Sequence, residues 1–262
     1  MRICFNKSSW SRTRWSETLR EFRDLPKLSK IGEVLRSARL TRAVFSHRVL
    51  AGVEHRFVLR SDLATVVDVG ANRGQFALAA RHYAPGARVI SFEPLPGPAA
   101  IFRRLFTGDP QVTLHEAALG PAAERRSMHV SGLDDSSSLL PITSLYSSLF
   151  PGTEEARALE VQVGPLSDFV GRDEIRSPAL LKLDIQGFEY DALLGCLDLL
   201  PLFQSVYCEC SFMELYTGQK LGHEVVALLA QNGFVLAGAY NPVYDPGGQC
   251  VHSDLLFMQL PA

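Results

Sequence analysis

The apolar positions of the chain change period near Leu63. Before it they recur at helical spacing. Trp15, Leu19 and Phe22 lie at i, i+4 and i+7, and Ile31, Leu35 and Ala38 repeat that interval. Pro26 separates the two stretches, so residues 1–60 read as helices. So polar and basic a stretch buries little by itself and is expected to pack on the main domain. From Leu63 onward, short β-branched runs alternate with helical ones. Residues 64–70 (ATVVDVG) suit a buried parallel strand. A helix runs from Phe76 to Tyr83 and stops at Pro85-Gly86. A strand at 88–93, a helix at about 98–106 and a strand at 112–116 follow. This alternation predicts right-handed βαβ crossovers and a parallel sheet.

Residues 117–178 are less regular. Ser127–Val130 and Leu159–Val163 read as two short strands, and the polar stretch 132–140 (GLDDSSSLL) as a lid or binding loop. The wound pattern resumes with a strand at 179–184, a helix from Gln186 to about Cys196 and a strand at 205–210. A helix over 224–231 ends at Asn232-Gly233. Two strands, 234–239 and 250–259, close the chain across a loop of about ten residues, and they are expected to pair antiparallel because no helix separates them.

Composition narrows the class. The 262 residues are 47% hydrophobic and 21% charged, as in an ordinary globular protein. No apolar run approaches the ~18 residues of a membrane span, and the first residues lack a signal-peptide core. These features predict a soluble cytoplasmic protein. The net charge of −2 hides an asymmetry: residues 1–60 hold 14 Lys+Arg against 5 Asp+Glu, and the body carries the acidic excess. The arm is either a solvated helical cap or a peripheral contact with an anionic substrate or the inner membrane face. No aromatic-basic recognition motif accompanies the charge, so nucleic acid is not an expected partner. Five cysteines without CxxC spacing argue against zinc and against a disulfide framework.

The richest constellation is the strand-to-helix turn over residues 67–76. Gly70 and Gly74 let the backbone turn tightly, and the helix start at Gln75 and Phe76 offers unpaired N–H groups. Such a bend at the C-terminal edge of a parallel strand is a cofactor crevice. Glu93 ends the next strand, where a carboxylate accepts both ribose hydroxyls of an adenosine. GxxxG without a third glycine, and Asp68 just before the turn, fit S-adenosylmethionine better than a dinucleotide. Asp68, Gly70, Ala71, Asn72, Gly74, Gln75, Phe76, Glu93, Pro94, Glu116, Ala117 and Asp184 are the candidate cofactor contacts, with Glu116 aimed at the adenine amino group.

The segments DVGANRGQF (68–76), SFEP (91–94), ALG (118–120), SSL (137–139), KLDIQGFE (182–189), ECSFMELY (209–216) and SDLLF (253–257) occur in this order. As a set they resemble the FkbM family, over about residues 60–260. The resemblance implies an α/β, Rossmann-like class I methyltransferase fold. Its sheet would have seven mostly parallel strands in the order 3-2-1-4-5-7-6, with strand 7 antiparallel, here carrying an N-terminal helical extension. It also implies O-methyl transfer from S-adenosylmethionine to a hydroxyl of a sugar in a glycolipid or natural product. The expected division is a basic extension, 1–60, and a methyltransferase domain, 61–262.

Topology places Asp184 and Glu209 at neighbouring strand ends, opening on the same crevice. Together they could hold a hydroxyl, accept its proton or share a divalent cation. Alternatively Asp184 caps the following helix. His252 is the second candidate base, with Asp254 on the same strand face to orient it, or the two form a structural pair. Ser136, Ser137, Ser138, Gln186 and Glu189 are candidate substrate contacts. The competing readings are a nucleotide-dependent oxidoreductase on a doubly wound fold and a non-catalytic member of the methyltransferase fold.

Overall fold

The computed structural model describes residues 32–260, so the helical expectations resting on Trp15, Leu19, Phe22 and Ile31 lie outside the described residues. Ten strands are present among the described residues: β1 (Thr65–Val69), β2 (Arg88–Phe92), β3 (Val112–His115), β4 (Ala118–Leu119), β5 (Glu124–Ser131), β6 (Glu155–Gly164), β7 (Ala179–Leu183), β8 (Ser205–Ser211), β9 (Phe234–Tyr244) and β10 (Cys250–Gln259). The helices are α1 (Ala38–His47), α2 (Gln75–Tyr83), α3 (Pro96–Leu105), α4 (Ser144–Leu149), α5 (Glu189–Leu194) and α6 (Gly222–Gln231).

Seven strands form one sheet in the order β3-β2-β1-β7-β8-β10-β9. The first five run parallel, and β10 is antiparallel to both of its neighbours. Numbered within this sheet alone, the order is 3-2-1-4-5-7-6. That is the class I methyltransferase arrangement, with helices at the N-terminal end. β4, β6 and β5 form a separate small sheet, inserted between β3 and β7.

Burial follows from the wound topology. Every residue of β1 and β7 is buried, because helices cover both faces of a parallel sheet. Val67, Val69 and Leu181 pack on one face with Ala192 of α5 and Leu229 of α6. Val66, Leu180 and Tyr207 pack on the other with Ala77 of α2, Phe102 of α3 and the extension's Leu40, Ala43 and Val53. The extension thus docks on the main domain. Its expected stripe is corrected, however: Leu35 is 64% exposed and Ala38 is exposed, while Val34, Leu40 and Ala43 are buried. The spacing crosses a break. Ser37 is extended, and its hydroxyl accepts from Leu40 N to start a new helix at Ala38.

The middle segment departs most from expectation. β5 and β6 are longer than the apolar runs that marked them, because their outer ends are solvated and carry no apolar signal. α4 was not foreseen. It has six residues, too few for periodicity, and is set by the Thr143 hydroxyl accepting from Tyr146 N. The expected loop at 132–140 is pinned by paired backbone hydrogen bonds between His129 and Ser138. β9 extends to Tyr244, which shortens the final loop to 245–249.

Candidate active site

β1 ends at a bend whose geometry demands its residues. Gly70 has φ +79°, and a Cβ there would stand 1.9 Å from the carbonyl oxygen of Asp184. Only glycine lets the ends of β1 and β7 approach so closely. Asn72, at φ 48°, holds a left-handed turn by accepting from Arg73 N through its own side-chain oxygen. Glu93, at the end of β2, then locks the bend. Its Oε2 accepts from Asn72 N at 2.9 Å and its Oε1 from Leu95 N at 2.7 Å. Glu93 is only 5% exposed. Burial pushes its carboxyl up to about 7, against the lowering effect of the two N–H donors.

Lys182 of β7 was absent from the expected site. Its ammonium lies 3.1 Å from Asp68 Oδ1 and donates to the carbonyls of Val69 and Gly70 at 3.3 and 3.0 Å. Burial raises the Asp68 carboxyl. It opposes the Lys182 charge too, but Asp68 and Asp184 more than restore it. The signal was a lysine in an otherwise apolar central strand, which requires a buried partner.

These elements wall a cavity of about 420 Å³, within the range of small-molecule sites. Of the candidate cofactor contacts, Gly70, Ala71, Asn72, Gln75, Phe76, Glu93, Pro94, Ala117 and Asp184 line it. Gln75 Oε1 is buried there without a hydrogen-bond partner among the described residues. Glu93, with one N–H on each oxygen, keeps lone pairs for a diol. A buried carboxylate, an orphaned amide oxygen and a bend of backbone amides fit the adenosine and amino-acid portions of S-adenosylmethionine. The extension contributes Ala51, Gly52, Glu54 and His55 to the same wall. That contribution had no periodic or motif signal.

Beyond Asp184 lies a second polar array. Gln186 has φ 58° and its side-chain amide donates to Asp184 Oδ1 at 2.9 Å and Glu209 Oε2 at 3.0 Å. Gln186 Oε1 accepts from Tyr216 OH at 2.8 Å and Tyr146 OH at 3.4 Å. Glu209 Oε1 meets His252 Nδ1 at 2.9 Å. Burial opposes charge on His252, but Glu209 outweighs it and holds the imidazole above its usual range. Burial also raises Glu209, with Asp184 adding to the effect. Glu189 folds back to accept from Ile185 N and Gly187 N, which fixes the turn that presents Gln186. Burial pushes its carboxyl up to about 8.

Several expected contacts lie elsewhere. Asp68 is fully buried under the bend and faces Lys182. Gly74 packs α2 against α3: a Cβ there would meet Phe106 at 2.8 Å. Glu116 is half exposed and paired with Arg103, outside the cavity. Asp184 does not cap α5, whose first turn Glu189 holds instead. Asp184 and Glu209 are bridged by an amide rather than converging on a cation position, and among the described residues no group of three or more His, Cys, Asp or Glu has metal-holding geometry. Glu209 and His252 pair with each other behind the cavity wall. Asp254 turns from His252 to Tyr207 and Asn241. Ser138 donates to the Gln186 carbonyl, Ser136 takes part in the Tyr146 and Tyr216 contacts, and Ser137 lines the cavity while accepting from Ser131 N. Tyr146 and Tyr216 were not foreseen, because aromatic residues near a helix read as core.

Residues 68–236 match the family described as the methyltransferase FkbM domain. The chain is 30% identical over 230 residues to the 31-O-demethyl-FK506 methyltransferase FkbM of Streptomyces tacrolimicus, covering 78% of this chain and 84% of that protein. It is 28% identical over 170 residues to the 2-O-methyltransferase NoeI of Sinorhizobium fredii, covering 63% and 70%. Among solved structures, Aeropyrum pernix fibrillarin with bound S-adenosyl-L-methionine aligns at a TM-score of 0.44 and 9% identity, over 76% of this chain and 68% of that one. The oxidoreductase reading is set aside by the family match. The chain belongs to the FkbM family and is an S-adenosylmethionine-dependent methyltransferase.

Proposed function

We propose that this methyltransferase acts on a hydroxyl of a sugar in a glycolipid or glycosylated natural product. The supporting observation is the placement of Asp184, 40% exposed on the cavity, beside an amide-and-tyrosine array suited to a polyol. Both relatives are named as O-methyltransferases, which favours the same reading here. Bound S-adenosylmethionine supplies an electrophilic methyl group on a sulfonium. Glu93 would accept hydrogen bonds from its ribose hydroxyls, the Gly70–Asn72 bend would hold its amino-acid portion, and Gln75 would offer it an unpaired oxygen. Asp184 accepts a hydrogen bond from a neighbouring hydroxyl of the acceptor sugar, and Gln186 fixes the Asp184 carboxylate. Most of the acceleration is alignment of the reacting atoms.

Residues 61–262 form the transferase domain in this proposal, and residues 1–60 its extension. Among the described residues no helix is long and apolar enough to cross a membrane. In this proposal the enzyme works in the cytoplasm, and the basic arm meets the inner membrane face or an anionic acceptor. The test is mass spectrometry of glycoconjugates from a strain lacking the gene. A species lighter by one methyl is expected, and the purified enzyme with radiolabelled S-adenosylmethionine should label it. An unchanged glycoconjugate profile, with no label transferred, contradicts the proposal. Intact S-adenosylhomocysteine binding in that case would favour the non-catalytic reading.

A further inference from the structure

His55 lies outside the family-matched span, in the 3-10 turn Val53–Phe57, yet it forms part of the cavity wall shared with Asp184. Its ring is packed at 5.3 Å from Phe76 and 5.6 Å from Tyr207, centroid to centroid. Nδ1 lies 3.0 Å from Tyr207 OH. That phenol lies 2.9 Å from Asp254 Oδ2, a carboxylate oxygen that only accepts. Asn241 Nδ2 donates to the same Oδ2 at 2.8 Å and to the phenol oxygen at 3.3 Å.

Counting protons along this chain settles the tautomer. Tyr207 has one hydroxyl proton, and it goes to Asp254. The Tyr207 oxygen can therefore only accept from His55, so Nδ1 carries the imidazole proton and Nε2 carries a lone pair. No hydrogen bond reaches Nε2 among the described residues.

We infer that His55 Nε2 is the proton acceptor for the methylated hydroxyl, with Tyr207 and Asp254 as positioning residues. This rests on the O-methyltransferase reading above. The acceptor oxygen forms its bond to the methyl carbon as the methyl–sulfonium bond breaks and that electron pair returns to sulfur. The hydroxyl proton moves to Nε2, giving an imidazolium held by Tyr207. The other candidates are worse placed. Asp184 accepts from the Gln186 amide at 2.9 Å and lies 3.9 Å from the Lys182 ammonium. His252 is engaged by Glu209 and lies off the cavity. The groups facing His55 are Tyr207 and Asp254 from the sheet, Lys182 and Asp184 from β7 and its end, and Glu54 beside it. Burial dominates their combined effect and lowers the His55 pKa, so the ring is neutral near pH 7.

Two measurements test this. In the wild-type protein, ¹⁵N-resolved imidazole spectra at neutral pH should show His55 protonated on Nδ1 and bare on Nε2. Tyr207→Phe should abolish that preference. A His55 ring protonated on Nε2, or doubly protonated, overturns the inference without touching the methyltransferase assignment. Separately, His55→Gln should bind S-adenosylhomocysteine within about twofold of wild type. Its turnover of the deletion strain's glycoconjugate fraction should fall by about 100-fold or more, losing the acidic limb of the pH–rate profile. Full turnover by His55→Gln overturns the inference. A wild-type enzyme inactive on that fraction instead counts against the sugar-hydroxyl reading.

Discussion

Lys182 neutralises Asp68 directly beneath the cofactor bend, 3.1 Å away, in a pair almost wholly removed from solvent. The same ammonium donates to the carbonyls of Val69 and Gly70, so one side chain both balances a buried charge and fixes the bend. Removing one partner leaves the other charged and unpaired. Lys182→Met is predicted to destabilise the fold by about 3 to 5 kcal/mol. Lys182→Met combined with Asp68→Leu should recover much of that loss. Urea denaturation of these two variants and of Asp68→Leu closes the cycle, and a double-variant loss equal to the sum of the two single losses would show that the pair carries no interaction.

Glu189 gives a pH signature of definite sign. Its carboxyl rises from 4.5 to about 8 in the fold, chiefly through burial, with Glu209 and Asp184 adding to the shift. The folded chain therefore holds a proton that the unfolded chain releases. The stability this contributes is fully present below about pH 4.5. It declines as pH rises and is gone above about pH 8, with a slope of at most about 1.4 kcal/mol per pH unit. Glu189→Gln keeps an acceptor for Ile185 N and Gly187 N but cannot ionise. Its unfolding midpoint should be flatter than wild type between about pH 5 and pH 8. Parallel pH profiles for the two proteins would contradict this role.

Gln186 separates two carboxylates that would otherwise face each other. Gln186→Leu should leave S-adenosylhomocysteine affinity within about threefold, since Glu93 and Gln75 are untouched, while turnover drops by about tenfold or more as Asp184 loses its orienting donor. Calorimetry and label transfer together separate binding from turnover. A large loss of cofactor affinity would place Gln186 on the cofactor side instead.

Much of this arrangement was legible in the chain. The βαβ alternation gave the parallel sheet, and the helix-free connection between the last two strands gave the antiparallel closure, because local periodicity carries both. The bend and Glu93 were legible because backbone geometry and a strand-end carboxylate have fixed offsets. What the sequence hid depends on the third dimension. The orientation of Asp68 toward Lys182 rather than the cavity and the Glu209–His252 pairing arise between strands distant in sequence, and the Glu189 fold-back is a side-chain contact within one turn that no periodicity marks. The Val53–Phe57 turn is held at the cavity by Gly52 N, which donates to Gln75 O at the start of α2, and by the contacts of His55 with Phe76 and Tyr207. No repeat or motif encodes that contact.

Cofactor recognition turns on Glu93, whose two oxygens are each held by one backbone N–H at the floor of the cavity. The most direct measurement is calorimetric titration of S-adenosylhomocysteine into wild-type protein and Glu93→Gln at about pH 8, where the carboxylate is ionised. Loss of charge-assisted hydrogen bonds worth about 1.5 to 3 kcal/mol predicts affinity weaker by roughly 10- to 100-fold, with the melting temperature of the unliganded protein largely kept. Wild-type affinity that weakens as pH falls through 7 would complete the pattern. Equal affinity in the two proteins, at equal fold stability, would contradict the ribose-binding role on which the site rests.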